Sequence, residues 1–485
     1  MTPEEFRAAG HELIDWIADY RASIETRPVL AQVAPGEVRS MLPDVPPTEP
    51  EPFASVLADL DRVVVPGVTT VQHPMHFGWF PSNAALASVL GDLASSGIGS
   101  LGISWESSPA LTEVEEVVCD WMRQLVGLSR AWVGTIQDTA STAAIVALLV
   151  ARERASEFSE AAGGLQSVEQ PLVVYATDQA HSSVVKAASV AGFGLDNVRT
   201  VAHDPWTRAM DPASLDESIA ADLAAGRRPA AVIASIGTTG TTAVDPLPAI
   251  VDVLDRLGPD GSADRPWLHV DAAMAGSAMI LPERRSMWEG VEAADSITFN
   301  PHKWLGTILD TSLFYVRDPQ HLVRVLSTNP SYLQSSADGQ VTQYRDWGLP
   351  LGRRFRALKL WFHLRLDGPE ALRGRLRRDL DSAAWLAEQI DAEPGWTLVA
   401  PVSLQTVCVR HLPSTADGSP MVGEALEAHT QQWVANINRS GQAYLTASKL
   451  DGSWMVRVSI GVEGTERHHV AAVWDLMRST VASLT

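Results

Sequence analysis

The stretch Ser296-Ile297-Thr298-Phe299-Asn300-Pro301-His302-Lys303-Trp304 decides the fold. S-I-T-F reads as a short strand that ends abruptly in a polar turn, N-P-H-K. Pro301 ends the strand pairing and fixes its own φ. The turn therefore presents His302 and Lys303 at a strand end, where open α/β sheets place their ligands. A lysine there is either a point charge or an amine that forms a Schiff base with a carbonyl. Alone, the surface charge is the commoner case, so the reading depends on partners elsewhere in the chain.

Outward from that turn the chain alternates strand and helix. Leu172–Thr177 reads as a buried strand, followed by Asp178-Gln179-Ala180-His181-Ser182-Ser183 and a helix of small residues. Ala230–Ile236 is a second strand, ending in Gly237-Thr238-Thr239-Gly240-Thr241-Thr242. Trp267–Val270 is a third, ending in Asp271-Ala272-Ala273; Ser296–Phe299 is the fourth and Ser312–Val316 a fifth. This alternation predicts an α/β fold with a mostly parallel, doubly wound sheet. Strand ends on one edge of such a sheet converge, so His181, Thr239, Asp271 and Lys303 are expected to share a pocket.

Upstream, Ile136-Gln137-Asp138-Thr139-Ala140-Ser141-Thr142 runs into an apolar helix expected at Ala143–Arg152. Free N–H groups at a helix start, joined by hydroxyls, make an anion site; a single Ser or Thr is an ordinary cap. The hydroxyls of Thr139, Ser141 and Thr142 exceed what one cap needs and point to phosphate. Gly97 to Gly102 matches G-x-G-x-x-G, but Ala84–Ala94 before it reads as a helix, and the dinucleotide fingerprint needs a strand there. Those glycines are read as close backbone packing. Pro109 then opens an amphipathic helix through Val126.

The chain begins with a capped helix, Thr2-Pro3-Glu4-Glu5. Its narrow stripe, Phe6, Leu13, Ile17, Tyr20 and Ile24, is expected to pack on its own body or on a second subunit. A proline-rich acidic arm, Pro28–Pro52, leads to a second helix, Phe53–Val64. His73–Ser82 is an aromatic loop broken by prolines, of a kind that lines ligand pockets. His73 and His76 in it have no acidic or cysteine neighbour, so a metal is not expected. Arg317–Pro350 is long and turn-rich, as lids are, and carries Tyr332. The basic run Gly352-Arg353-Arg354-Phe355-Arg356 precedes an amphipathic helix through Leu366. Asp367–Thr485 mixes helices with strands at Thr406–Val409 and Trp454–Ile460 and reads as a smaller α+β domain. The organisation expected is an N-terminal helical arm (1–82), a large domain (83–366) and a small C-terminal domain (367–485).

The 485 residues, 46% of them hydrophobic, suffice for more than one domain. A net charge of −21 disfavours nucleic acid and anionic membranes as partners. The two cysteines, Cys119 and Cys408, rule out a disulfide framework and argue against a cysteine zinc site. The start M-T-P-E-E-F-R lacks the basic and apolar regions of a signal peptide. No apolar run reaches the roughly 18–20 residues of a membrane span. A cytoplasmic enzyme is expected.

An imine-competent lysine, a strand-end aspartate, an anion-binding helix start and a ring-sized histidine are the parts needed to hold pyridoxal 5′-phosphate. Lys303 would bond the aldehyde, and Asp271 would pair with the pyridine nitrogen, which makes the ring an electron sink. Ala273 is small enough to lie against the ring, with His181 on the opposite face. Thr139, Ala140 and Ser141 would take the phosphate. Each residue has an ordinary alternative, a cap, an ion pair or plain packing. Jointly, at successive strand ends, they favour the cofactor.

The motifs N-P-H-K-W, H-V-D-A-A-M-A-G-S-A, D-Q-A-H-S-S-V, S-I-G-T-T-G-T-T and P-L-G-R-R-F-R resemble the aromatic L-amino acid decarboxylases, which are group II pyridoxal-phosphate decarboxylases of fold type I. The resemblance spans nearly the whole chain. It implies a mostly parallel seven-stranded sheet with helices on both faces, an N-terminal helical arm and a small C-terminal α+β domain. Lys303 matches the Schiff-base lysine, His302 its pocket neighbour, Asp271 the ring-nitrogen partner, Ala273 the residue under the ring and His181 the stacking histidine. Thr139, Ala140, Ser141 and Asn300 match phosphate-side positions, and Thr239 a threonine near the substrate carboxylate. Tyr332 matches a mobile-loop tyrosine that returns a proton to the substrate carbon. Leu101, Ile103, Leu351 and Gly352 fall where a partner subunit completes the pocket, which implies a homodimer. Phe80, Pro81 and Ser82 match substrate-side positions, whereas Val71, Trp79 and Ile103 depart from the aromatics of animal members. Gly352 leaves room for an indole, so tryptophan or 5-hydroxytryptophan is expected, then phenylalanine, tyrosine or dopa. Competing readings are an aromatic aldehyde synthase, a decarboxylase of non-aromatic amino acids, and a non-enzymatic pyridoxal-phosphate-binding regulator.

Overall fold

The structure is a computed structural model that describes residues 1–257, 265–328, 331–334, 336–415 and 418–484, with the side chain of Tyr332 outside that description. Internal contacts divide the chain into two units. The larger is Ser82–Leu380 with Val399–Thr406; the smaller is Met1–Pro81 with Asp381–Leu398 and Val407–Thr485.

The larger unit is built on a seven-stranded sheet: β1 (Val133–Gln137), β2 (Leu172–Thr177), β3 (Val198–Val201), β4 (Arg228–Ser235), β5 (Trp267–Asp271), β6 (Ser296–Phe299) and β7 (Ser312–Val316). The spatial order is β1-β7-β6-β5-β4-β2-β3. β3, β2, β4, β5 and β6 pair in parallel, and β7 runs antiparallel to both β6 and β1. β7 is therefore the one reversed strand. Its link from β6 holds a single helical turn, Pro301–Leu305, and no crossover helix of the sort a parallel return needs. This is the mostly parallel α/β sheet that the resemblance implied. β1 and β3 were not expected from the sequence. β1 carries the buried polar residues Thr135 and Gln137, and β3 is a short edge strand with one buried residue.

Strands β2 and β4 are nearly continuous buried apolar runs, as sheets covered on both faces require. The helix Ala140–Ala155 packs on the sheet through Ala143, Val146, Ala147, Val150 and Ala151, all fully buried. Its small residues let helix and sheet approach closely. It begins three residues before the expected Ala143, because Thr139 caps it by accepting Thr142 N–H.

In the smaller unit, β8 (Trp396–Leu398), β9 (Thr406–His411), β10 (Thr446–Leu450) and β11 (Ser453–Ser459) form a sheet in the order β10-β11-β9-β8. Trp396 meets Trp433 and Trp474 edge-on, at 5.7 and 5.0 Å. The helix Pro3–Ala22 carries the expected capping box, and none of its residues is buried. Phe53–Asp59 continues into a wider turn, Leu60–Val64, so the second helix spans the expected range. Among the described residues no helix is long and apolar enough to cross a membrane.

Candidate active site

The strand ends of β2, β4, β5 and β6 bring the expected residues to one edge. Register places Ser235 beside Asp271 and Asp271 beside Thr298. Past the strands, Ile236 N–H donates to Asp271 O, Ala272 N–H to Thr298 O and Asn300 N–H to Ala273 O, each at 2.9 Å. The backbone thus fixes Asp271, Ala273 and Asn300 before any side chain acts. Asp271 Oδ1 accepts Ala273 N–H at 3.0 Å and stays partly exposed.

Lys303 follows Asn300 in the turn, its N–H donating to Asn300 O at 3.0 Å, and is partly exposed. Asn83 Nδ2 donates to Lys303 O at 3.4 Å, a contact for which the sequence carried no signal. His302 is buried. Its Nδ1 accepts Thr311 N–H at 3.0 Å, and its own N–H donates to Thr311 O at 3.3 Å. Burial is the main cause holding its pKa down at about 4, with the charge of Lys303 next. The ring is therefore neutral near pH 7 and carries its proton on Nε2.

His181 lies after β2. Its Nδ1 sits 2.7 Å from Ser183 Oγ and accepts Ser183 N–H at 3.2 Å, which again puts the ring proton on Nε2. Its pKa is lowered first by burial and then by the charge of Lys303, while Asp271 pulls it up. One imidazole thus feels both the lysine and the aspartate, although the three are far apart in sequence.

These residues fit the expected cofactor. Asn300 is 2% exposed, and its side-chain oxygen is buried with no partner among the described residues, a polar atom those residues do not satisfy. The helix start is divided: Thr139 is an ordinary cap, and Ser141, partly exposed in the first turn, is the hydroxyl beyond the cap's needs. Glu115, buried, and Arg353, partly buried, pair at 2.6 Å and hold the end of β1 that leads into this turn, with Ile136 N–H donating to Glu115 at 2.8 Å. Thr239 lies in the turn after β4, partly buried.

The substrate-side positions divide between the units. Ser82, Leu101, Ile103, Leu351 and Gly352 belong to the larger one, and Val71, Trp79, Phe80 and Pro81 to the smaller. Gly102 N–H donates to Arg353 O at 3.0 Å, and a Cβ on Gly352 would lie 3.7 Å from Leu101, so these two segments form one patch. In it Leu101 and Leu351 are exposed. Trp79 is exposed and has φ +50°, a left-handed backbone that a bulky residue rarely adopts. Its N–H donates to Thr446 Oγ1 at 2.7 Å, and its ring lies 5.0 Å from Tyr444. The buried His76 stacks on Tyr444 at 5.3 Å. Arg457 lies over the Phe80 ring at 5.0 Å. The expected role of Tyr332 falls on a side chain outside the described residues.

The pyridoxal-dependent decarboxylase conserved domain matches residues 35–412. A tryptophan decarboxylase of Camptotheca acuminata is 39% identical, over all of this chain and 96% of its own length. A phenylacetaldehyde synthase of Arabidopsis thaliana is also 39% identical, over all of this chain and 97% of its own. A crystal structure of an Oryza sativa TDC with PLP and tryptamine superposes with a TM-score of 0.94 at 36% identity, covering all of this chain and 99% of that one. The chain belongs to the pyridoxal-dependent decarboxylase family, whose cofactor is pyridoxal 5′-phosphate.

Proposed function

We propose that the protein removes the carboxylate of an aromatic L-amino acid, giving the arylalkylamine and CO2, with tryptophan or 5-hydroxytryptophan the preferred substrate. Phenylalanine, tyrosine and dopa follow, because one extra ring in an apolar pocket is worth only roughly 1–3 kcal/mol. The observation that carries the reading is that the ends of the parallel strands β2, β5 and β6 bring His181, Asp271 and Lys303 to one edge of the sheet. The tryptophan decarboxylase relative and the absence of a side chain at Gly352 favour the indole.

Lys303 is the amine that holds the cofactor aldehyde. Asp271 would be the anion for the ring nitrogen, Ala273 and His181 would hold the ring, and Thr139, Ala140, Ser141 and Asn300 would serve the phosphate. Bound there, pyridoxal 5′-phosphate supplies the sink for the electron pair released when the Cα–carboxylate bond breaks. His302, neutral and fixed with its Nε2–H, is a donor toward the substrate. Thr239 serves the substrate carboxylate, and Tyr332 returns the proton to Cα.

The reading includes a cytoplasmic homodimer in which Leu101, Ile103, Leu351 and Gly352 complete the partner's pocket. The exposed leucines 86, 90 and 93 of the helix Leu86–Ile98, and the unburied first helix, supply apolar faces for such an interface. The aldehyde synthase relative favours a second outcome on the same scaffold: dioxygen and water consumed, with aldehyde, CO2, ammonia and hydrogen peroxide released. A panel of aromatic and non-aromatic amino acids, scored for amine, CO2, aldehyde and peroxide, separates the two. Amine and CO2 without peroxide, greatest for tryptophan, is the expected result; turnover confined to acidic amino acids overturns it.

A further inference from the structure

We propose that Lys359, a buried lysine outside the ligand cluster, is a positioning residue for His302: it clamps the Leu309–Asp310 turn, whose next residue, Thr311, fixes the His302 ring. The inference rests on the reading of His302 as an active-site group.

Lys359 lies in the helix Ala357–Leu366 and is 1% exposed. Its Nζ donates to Leu309 O at 3.2 Å, Asp310 O at 3.4 Å and Asp310 Oδ1 at 3.2 Å, and lies 3.4 Å from Asp92 Oδ1. A buried ammonium persists only when paired and hydrogen-bonded in this way. Two arginines of the basic run G-R-R-F-R brace the same carboxylates, Arg356 on Asp310 and Arg354 on Asp92, each at 2.9 Å. Ile308 N–H donates to Ser88 Oγ at 2.9 Å, so the turn is also held from before. What emerges from this clamp is Thr311, bonded to His302 through both its N–H and its C=O. Because Thr311 N–H points at Nδ1, the clamp selects the Nε2–H tautomer and the plane of the ring.

The charges acting on His302 are Lys303 and Lys359, which lower its pKa, and Asp310, which raises it. A merely structural lysine and a positioning one therefore differ in what their removal does.

The test is steady-state kinetics of the loaded enzyme for Lys359→Met, His302→Gln and the double variant. Lys359→Met should lower kcat roughly tenfold with little change in KM, and the double variant should be no slower than His302→Gln alone. Losses that multiply in the double variant overturn the proposal while leaving His302 in its role. An unchanged kcat in His302→Gln overturns the reading of His302, and the proposal with it. Asp310→Asn keeps the side-chain volume and serves if Lys359→Met does not fold: its loss must likewise vanish in the His302→Gln background. The acid limb of kcat/KM should move up in Lys359→Met and down in Asp310→Asn. Shifts of the same sign in both overturn the proposal. Lys359→Arg should recover part of the kcat, and a loss as large as that of Lys359→Met counts against it.

Discussion

At the sheet edge of the larger unit, the candidate groups stand at the last residue of a strand or up to four residues past it, and neighbouring strands fix Asp271, Ala273 and Asn300 through backbone hydrogen bonds. In the loop 73–81 of the smaller unit, backbone bonds hold Met75 and Phe77: Tyr444 N–H donates to Met75 O at 3.2 Å, Phe77 N–H to Tyr444 O at 2.9 Å and Ser459 N–H, at the end of β11, to Phe77 O at 2.9 Å. The side chains are set by their own packing. His76 and Trp79 lie against Tyr444, and Trp79 holds a left-handed backbone. Gly78 is the point of closest approach, since a Cβ there would lie 2.2 Å from the Tyr444 ring. The first region repeats wherever a parallel sheet places its ends. The second depends on the shapes of a few particular side chains. The candidate catalytic groups are thus set by a periodic backbone, and the side chains of the candidate substrate-side loop by packing that has no period.

If that contrast holds, changes at the sheet edge abolish chemistry and changes in the loop alter stability or preference. Lys303→Ala should eliminate amine formation together with the cofactor's absorbance near the visible edge. Asp271→Asn should retain cofactor but cost about 10²–10³-fold in kcat. Amine formation by Lys303→Ala at the normal rate would remove the sheet edge from the chemistry. Tyr332→Phe should lower amine yield by roughly 10²–10⁴-fold, as loss of a proton donor does, and divert product to aldehyde and peroxide. Unchanged amine with no peroxide would sink that role.

Glu115→Ala removes a fully buried carboxylate and strands Arg353, whose side chain is 9% exposed, and should cost about 3–5 kcal/mol of stability, read from denaturant unfolding. Gly78→Ala forces Tyr444 aside and should cost about 1–3 kcal/mol, with a changed ratio of tryptophan to tyrosine turnover. A changed kcat with an unchanged ratio would show that the loop serves chemistry rather than choice.

The smallest effect is a pH slope. In the fold, burial holds His76, His269 and His302 at about 4 and His363 at about 3, against an ordinary 6.5. Over that window the unfolded chain binds more protons, so stability rises with pH and is lost as pH falls from 6.5 toward 4. Asp245 and Asp379, raised by burial from 3.8 to about 6, oppose this: their contribution is present below 3.8 and lost as pH rises through 6. The four rings outnumber the two carboxyls, so the melting temperature should fall on acidification. His76→Phe should flatten the slope by at most about 1.4 kcal/mol per pH unit, and an unchanged slope would mean that His76 is not buried as a neutral ring.

Much of the sheet was legible because its central strands are continuous apolar runs. Leu172–Thr177, Ser296–Phe299 and Ser312–Val316 were read with their observed limits. β1 was missed because its polar residues turn inward to partners: Thr135 Oγ1 donates to Glu115, and Gln137 Nε2 to Trp347 O at 3.1 Å. Read locally, such residues belong on a surface. The same holds for Glu115 and Lys359, charged residues that are 0% and 1% exposed. β8 and β10 were missed as short strands without a buried run. The helix start was placed late because a cap is defined by a hydrogen bond, and sequence shows only that the residue is able to make one.

By itself the sequence determined the strand–helix alternation, the motif around Lys303 and the partners at the other strand ends, because each is written in local order. Only the tertiary structure decided that His181 feels Lys303 and Asp271 together, that His302 is a neutral Nε2–H ring, and that Lys359 is buried. Burial, tautomer and pairing depend on what arrives from distant parts of the chain, and no local pattern of residues encodes it.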